Sequence, residues 1–397
     1  MKFSEMEMAP ADPILGLTGA FKADGREPKA NLGVGVFMDA EGRTPVLSCV
    51  KEAEKRLLKK ELTKTYAPIA GVPGYAEAVG PLVFGEEVWE SRRPAVVQSP
   101  GGTGALRLGA ELLKLARPGA TVWIPDPSWG NHRALFTAAG FATKPYTYLD
   151  AATKAVDAAG MLAALRQVPA GDVVLLHVCC HNPTGADPDA DTWKAVAGAA
   201  AEKGWLPFFD FAYQGFGDGV EEDRAGLLEV LGKAEEALVA SSFSKNMGLY
   251  GERTGALSVV AKGGAEAALS QLRRIVRTIY SNPTLHGAEI VREVMGDAEL
   301  RAEWRKELDA MRERISLNRT VLTGELSARC PGRDFSYLGR QKGMFSFSGL
   351  SDAQVAWLRE EKAVYVVKGG RINVAGLMEG TMDYVCDSIA EAIRTVE

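Results

Sequence analysis

The chain has 397 residues, 46% of them hydrophobic and 24% charged, with a formal net charge of −5. That length and balance allow a large core to be buried without disulfide or metal staples. Mild acidity argues against nucleic acid as the main partner, since a basic stripe is needed to track phosphates, and no apolar run reaches the ~20 residues that span a bilayer.

The N-terminal stretch "MKFSEMEMAP" carries two glutamates and lacks an apolar signal core, so a cytoplasmic setting is expected. The first forty-odd residues include glycine-rich "NLGVGVF" and precede the main sheet. From about residue 96 to 261, short apolar runs alternate with helical patterns. The predicted strands are "AVVQ" (95–98), "TVWI" (121–124), "DVVLLHV" (172–178), "LPFFDF" (206–211), "ALVASSF" (237–243) and "GALSVVA" (255–261). Several are apolar at almost every position, as in parallel strands covered on both faces. Between them lie periodic segments such as "GALRLGAELLKLA" and "DTWKAVAGAAAEKG". The alternation predicts an α/β fold with a mostly parallel, doubly wound central sheet sandwiched by helices. Ligands in such sheets lie beyond the carboxyl ends of the strands.

After about residue 298, Leu300, Trp304, Leu308, Met311, Ile315 and Leu322 fall on one helical stripe. This exceeds a usual globular helix and predicts a bridge between two domains. In the smaller α/β unit beyond it, "GMFSFSG", "AVYVV" and "RINVAG" read as strands, and Ser351 with Gln354 forms a capping box for the helix through Glu361. The expected division is a large unit over residues 46–310 and a small unit built from 1–45 together with 311–397. Cys49, Cys179, Cys180, Cys330 and Cys386 show no CxxC pair and read as buried small hydrophobes in a reducing compartment. The four histidines lack ligand spacing, so no metal site is expected.

Four candidate groups lie at or near the strand ends. Gly101, Gly102 and Gly104 in "SPGGTGALR" suit either a tight turn or a backbone cradle for an anion at a helix start. Asp210 lies inside an otherwise apolar strand and needs a cation, either an arginine or a protonated heterocycle; Tyr213 could add a hydroxyl to the same ligand. Asn182 precedes Pro183 and is either a turn former or an outward-aimed amide. Lys245 stands alone among hydroxyls in "SSFSKNMGLYGER", and a desolvated lysine beside cations can form a Schiff base with an aldehyde. Ser242, Ser244 and Arg253 would be donors to a dianion. An aldehyde-bearing, phosphorylated, protonated heterocycle describes pyridoxal 5′-phosphate, for which a lysine Schiff base and an aspartate at the ring nitrogen are the expected protein contribution.

Two other classes compete. Ser242 to Lys245 also spells the S-x-x-K of penicillin-recognising serine hydrolases, with "YSN" at 280–282 and "KGG" at 368–370 mimicking later elements. That motif opens a helix, whereas here it ends an apolar strand, and such chemistry has no use for Asp210. A sensor that merely binds the cofactor is the other; no appended DNA-binding segment is visible.

Together "NLGVGVF", "TKTY", "GGTGALR", "DPSWGNH", "HVCCHNPTG", "FDFAYQGFGDG", "SSFSKNMGLYGERTG", "YSNP", "GMFSFSGL" and "GRINVAG" resemble the fold-type-I pyridoxal-phosphate-dependent aminotransferases of the aspartate/aromatic subgroup, from about residue 12 onward. The resemblance implies that Lys245 holds the cofactor covalently and then shuttles the proton between substrate Cα and the cofactor C4′. Asp210 would keep the ring nitrogen protonated, Tyr213 and Asn182 would bind the ring 3-oxygen, and Trp129 would stack on the ring with His132 and His177 behind it. Gly102, Thr103, Ser242, Ser244 and Arg253 would bind the phosphate, with Tyr66 reaching in from the other subunit. Arg371 would grip the substrate α-carboxylate and Gly35 would line the substrate pocket. Arg277 would reach across a homodimer, whose subunits share each active site, to a distal carboxylate, and Asn282 would belong to the same cross-subunit wall. Arg277 can equally be a solvated member of the basic helix "QLRRIVRTIY".

The implied reaction moves amino groups between L-aspartate, or an aromatic L-amino acid, and 2-oxoglutarate by a ping-pong cycle. Aspartate is favoured by Arg277; the alternative is a mainly aromatic-amino-acid enzyme. The chain departs from the pattern at Gly130, at Thr284 and at Met38, where an apolar residue near the pocket entrance could favour aromatic side chains. Pro127 and Pro183 map to the family's cis prolines.

Overall fold

The computed structural model describes residues 2–9 and 15–396; the expected unit ends at residues 1 and 397, and the start of the resemblance near residue 12, lie outside the described residues. After a short β1 (Ala30–Asn31) the main sheet is built from β2 (Ala95–Pro100), β3 (Thr121–Asp126), β4 (Ala142–Thr147), β5 (Val173–His177), β6 (Leu206–Phe211), β7 (Ala237–Ser242) and β8 (Thr254–Val260). These seven strands lie in the order β2-β8-β7-β6-β5-β3-β4. Pairs from β7 across to β4 are parallel, and β8 runs antiparallel to β2 and β7. Each strand predicted from an apolar run is present, and β5 through β8 are buried at every position.

β4 was not anticipated. Its sequence ATKPYT is mostly exposed, with Tyr146 the buried member. An edge strand needs only one partner and tolerates a proline, so it carries neither the continuous apolar run of a central strand nor a clean alternation. Helices Gly101–Ala116 and Ala265–Ile279 close one face of the sheet over Leu108, Phe208, Leu257 and Leu272, while Phe209, Phe211 and Trp193 belong to a second apolar layer that continues into the C-terminal unit.

The long helix is Ala298–Arg329, 32 residues, opened by the Asp297 carboxylate accepting from the N–H groups of Glu299 and Leu300. All six residues of its predicted stripe are buried. Beyond it β9 (Phe345–Phe347) pairs antiparallel with β11 (Arg371–Asn373), and β10 (Val364–Tyr365) pairs parallel with β1. The N-terminal segment thus packs on the C-terminal unit. Leu32 donates to the Tyr365 carbonyl and accepts from the Asn373 N–H, at 2.8 and 2.7 Å, and the Asn373 amide donates to the carbonyls of Val34 and Val36 at 2.7 and 2.8 Å. The capping box at Ser351 and Gln354 is present in both directions.

Candidate active site

Three neighbouring strands end at one cavity. β5 leads to Asn182, β6 to Asp210 and Tyr213, and β7 to Ser242, Ser244 and Lys245; all six line it, with Gly35, Gly102, Thr103, Trp129 and Arg253. The parallel register places Asp210 opposite His177 on one side and Ala240 on the other. This is the topological position at which a doubly wound sheet presents side chains to a ligand.

Asp210 is buried and its Oδ2 lies 2.9 Å from His132 Nε2. His132 Nδ1 is 2.9 Å from Ser128 Oγ, which is 3.3 Å from His177 Nε2. Burial by itself would raise the Asp210 carboxyl; the His132 hydrogen bond, with the nearby Lys245 ammonium, outweighs it and holds Asp210 below its usual value. His177 is pushed down to about 3 by burial, with His132 adding to the shift. The carboxylate therefore stays ionised inside the protein and faces the cavity as its fixed negative charge.

Lys245 follows β7 in a turn. Burial pushes its ammonium down to about 8 against the attraction of Asp210, and the charge of Arg253 lowers it further. Its Nζ stands 4.7 Å from the centroid of the Tyr213 ring. Ser242 Oγ and Ser244 Oγ are 3.2 Å apart, and Arg253 Nη1 reaches Ser244 Oγ at 3.4 Å and the Tyr250 carbonyl at 3.0 Å. Gly101, at φ +67, begins the helix behind them; a Cβ there would stand 2.7 Å from Arg253 Nη2. Hydroxyls, a guanidinium and a helix N-terminus converge there, a donor set suited to a phosphate dianion. The cup, the amine and the carboxylate thus fit pyridoxal phosphate.

Toward β11, Asn182 Nδ2 lies 3.3 Å from the Tyr213 hydroxyl and its Oδ1 accepts from Arg371 Nη1 at 3.5 Å. Arg371 is 5% exposed, donates to the Gly33 carbonyl at 2.6 Å and lies 4.4 Å over the Phe345 ring. Its buried Nε has no hydrogen-bond partner among the described residues. A buried guanidinium without a carboxylate suits an incoming one. Trp129 meets His132 edge-on at 5.1 Å. The Asp126–Pro127 and Asn182–Pro183 bonds are cis, as is Glu27–Pro28.

Four expected site residues do not line this cavity: Arg371 adjoins it through Asn182, and three others lie away from it. Tyr66 is 88% exposed, and Arg277 lies on the exposed side of Ala265–Ile279, donating to Ser281 Oγ. Asn282 donates to the Ala67 carbonyl at 2.8 Å and accepts from Ser281 Oγ at 2.9 Å. Arg277 and Asn282 are thus joined through Ser281, and Asn282 holds the residue after Tyr66. Conversely, Tyr250 and Phe345 escaped notice. Tyr250 lines the cavity and its hydroxyl accepts from the Phe37 N–H at 2.9 Å; Phe345 supports Arg371 and meets Tyr213 edge-on at 5.9 Å. Their only sequence signal is a position inside the motifs "GLYGER" and "GMFSFSG". Cys179, Cys180 and Asp223 bring possible ligand atoms within 4.8 Å, but Asp223 already accepts N–H bonds from residues 215, 217, 218 and 219, and burial raises both thiols.

Ser242 ends β7 and Lys245 lies in a turn, so the S-x-x-K reading lacks its helix. A mostly parallel sheet with a buried lysine, a buried carboxylate and a cup of anion donors at one cavity suits a pyridoxal-phosphate enzyme, and the family match makes it a transaminase. The chain belongs to the family "Aminotransferase class I and II", whose model matches residues 27–389. It is 50% identical over 395 residues to the aspartate aminotransferase of Haemophilus influenzae, covering 98% of this chain and 100% of that protein. It is 44% identical over 393 residues to the aromatic-amino-acid aminotransferase of Pseudomonas aeruginosa, covering 98% of each. Among solved structures, the aromatic-amino-acid aminotransferase of Burkholderia pseudomallei, covalently bound to pyridoxal phosphate, superposes with a TM-score of 0.95 at 46% identity, covering 98% of this chain and 99% of that one.

Proposed function

We propose that this transaminase exchanges amino groups between L-aspartate, or an aromatic L-amino acid, and 2-oxoglutarate, as a cytoplasmic homodimer with shared active sites. The observation that carries the reading is that Lys245 and Asp210, from adjacent strands, line one cavity beside a phosphate cup. Pyridoxal phosphate, when bound, supplies an aldehyde for the lysine amine and a protonated ring that withdraws electrons from the substrate.

This chain's residues do the rest. Asp210, held ionised, accepts the ring N–H and keeps that proton in place. Asn182 and Tyr213 donate to the ring oxygen. Lys245, with its pKa lowered to about 8, is available as a neutral amine and moves the proton at substrate Cα as general base and then acid. Ser242, Ser244, Arg253, Gly102 and Thr103 hold the phosphate, and Trp129 covers the ring and excludes water. Arg371, on β11, orients the α-carboxylate. Residues 46–310 serve as the cofactor-binding unit, and 1–45 with 311–397 as the unit that carries Gly35 and Arg371 to it.

Tyr66, Arg277 and Asn282 serve the partner's site. In support, Tyr66 lines a cleft of about 670 Å³ where Leu58 and Leu62 are exposed, and Asn282, joined to Arg277 through Ser281, donates to the neighbouring Ala67 carbonyl. Arg277 favours a dicarboxylate. The aromatic reading draws on Met38, half-buried in the segment that also carries Gly35. The cytoplasmic reading draws on five buried free thiols; among the described residues no helix is long and apolar enough to cross a membrane. Steady-state rates with aspartate and with phenylalanine, each with 2-oxoglutarate, test the substrate assignment. Turnover of neither would sink it.

A further inference from the structure

Between β5 and the helix Ala190–Lys203 the chain turns back on itself, and Asp187 closes the turn. Its Oδ2 accepts the Cys180 N–H at 2.7 Å and its Oδ1 the His181 N–H at 2.9 Å. Cys180 is at φ +53, a conformation that residues with side chains rarely adopt. Consecutive N–H groups around such a residue point toward a common anion, and here that anion is the protein's own carboxylate. The next residue is Asn182, whose amide spans from the Tyr213 hydroxyl to Arg371.

The turn is braced from behind. His181 stacks on Tyr148 at 3.9 Å and its Nδ1 is 2.8 Å from Thr184 Oγ1. The Gly185 N–H donates to the His181 carbonyl, and the Lys342 N–H to the Gly185 carbonyl, each at 2.7 Å. A Cβ on Gly343 would come within 2.3 Å of Cys180 Cβ. The aim of Asn182 is thus set by its backbone, and the Asp187 carboxylate is the side chain that takes up the two N–H groups just before it.

We infer that Asp187 is a positioning residue for the reaction: its carboxylate fixes the turn at 180–182 and so aims the Asn182 amide between Tyr213 and Arg371. The inference rests on the reading of Asn182 as a donor to the cofactor's ring oxygen. A carboxylate suits the task because it offers an acceptor to each N–H, whereas an amide would set its NH2 against one of them. Burial pushes Asp187 up, to about 6, with a smaller push from Asp223, while its two N–H partners and Lys342 pull the other way. The charge is therefore kept at a place that does not favour it.

The test is a pH titration of the bound cofactor's absorbance in the Asp187→Asn holoenzyme. Losing a donor makes the ring oxygen more basic, so the midpoint should rise by roughly half a unit or more, in the direction set by Asn182→Ala. KM for the amino acid should rise about three- to tenfold with kcat changed less. In the Asn182→Ala background, Asp187→Asn should shift the midpoint no further, since its effect passes through that amide. Asp187→Ser, with a single acceptor, is a second variant, and melting of each protein checks its fold. An unchanged midpoint in either folded variant, or a full shift persisting on the Asn182→Ala background, overturns the inference. A wild-type protein that binds no chromophore overturns the functional reading instead.

Discussion

Trp304 donates its indole N–H to the carbonyl of Asn246 at 2.7 Å, and the Asn246 amide donates to the carbonyl of Gln214 at 3.2 Å. The middle of the first half of the long helix is thereby tied to the residue after Lys245, and through it to the turn that carries Tyr213. The helix thus fixes the stretch of chain that carries Lys245. Trp304→Phe keeps most of the apolar volume but leaves a buried carbonyl without its donor, at a cost of about 1–3 kcal/mol. Denaturant unfolding should show that loss, and turnover should fall with it. Unchanged stability would remove the helix from this role.

Lys245→Ala should retain the cofactor through the phosphate cup and Asp210 while transamination falls by roughly 10⁴-fold. Borohydride reduction should fix the chromophore to the wild-type chain and leave it removable from the variant. Retained covalent colour in Lys245→Ala would place the attachment elsewhere.

The same lysine makes the stability of the cofactor-free protein depend on pH. Its pKa falls from 10.5 to about 8 on folding, so between those values the unfolded chain holds the extra proton. Stability therefore rises with pH across that window, and the penalty is fully present below about pH 8. Lys245→Met should be more stable than the wild type by up to about 3 kcal/mol at pH 7, with the advantage disappearing toward pH 10.5. Parallel melting curves against pH would expose a wrong sign.

Asp210→Ala removes the carboxylate that balances His132 and faces the cavity. Turnover should fall on the order of 10²–10⁴-fold, with a smaller change in cofactor affinity. Near-normal rates in this variant would discredit the assignment of Asp210 to the ring nitrogen.

Arg277→Ala should lower kcat/KM for aspartate by about 10²-fold, the loss of one charge-assisted pair, and leave phenylalanine within severalfold. Light scattering of the wild type should return a dimer. Equal losses for both substrates would mean that Arg277 does not read the distal carboxylate.

Much of this was written locally in the chain. β5 to β8 could be read because strands buried on both faces are apolar throughout, and the long helix because its stripe repeats without a break. Lys245, Asp210 and Asn182 could be read because each is a polar residue at the end of such a strand. β4 was silent because an edge strand can be polar. Tyr250 and Phe345 were silent because an aromatic residue in a loop looks the same whether it packs in the core or lines a cavity. Asp187 carries no signal at all until the turn brings its carboxylate back to Cys180. Tyr66, Arg277 and Asn282 are visible as motif positions, yet the fold of the single chain places them away from the cavity, and nothing in their local sequence says so.

All five cysteines are free and buried: Cys49 in the helix Ser48–Lys60, Cys179 and Cys180 just after β5, Cys330 at the end of the long helix and Cys386 in the last helix. A thiol reagent in water can reach them only when the protein opens. Labelling kinetics followed residue by residue would thus time the separate breathing of each region, and Cys179 with Cys180 would report whether the wall behind Asn182 loosens before the rest of the molecule.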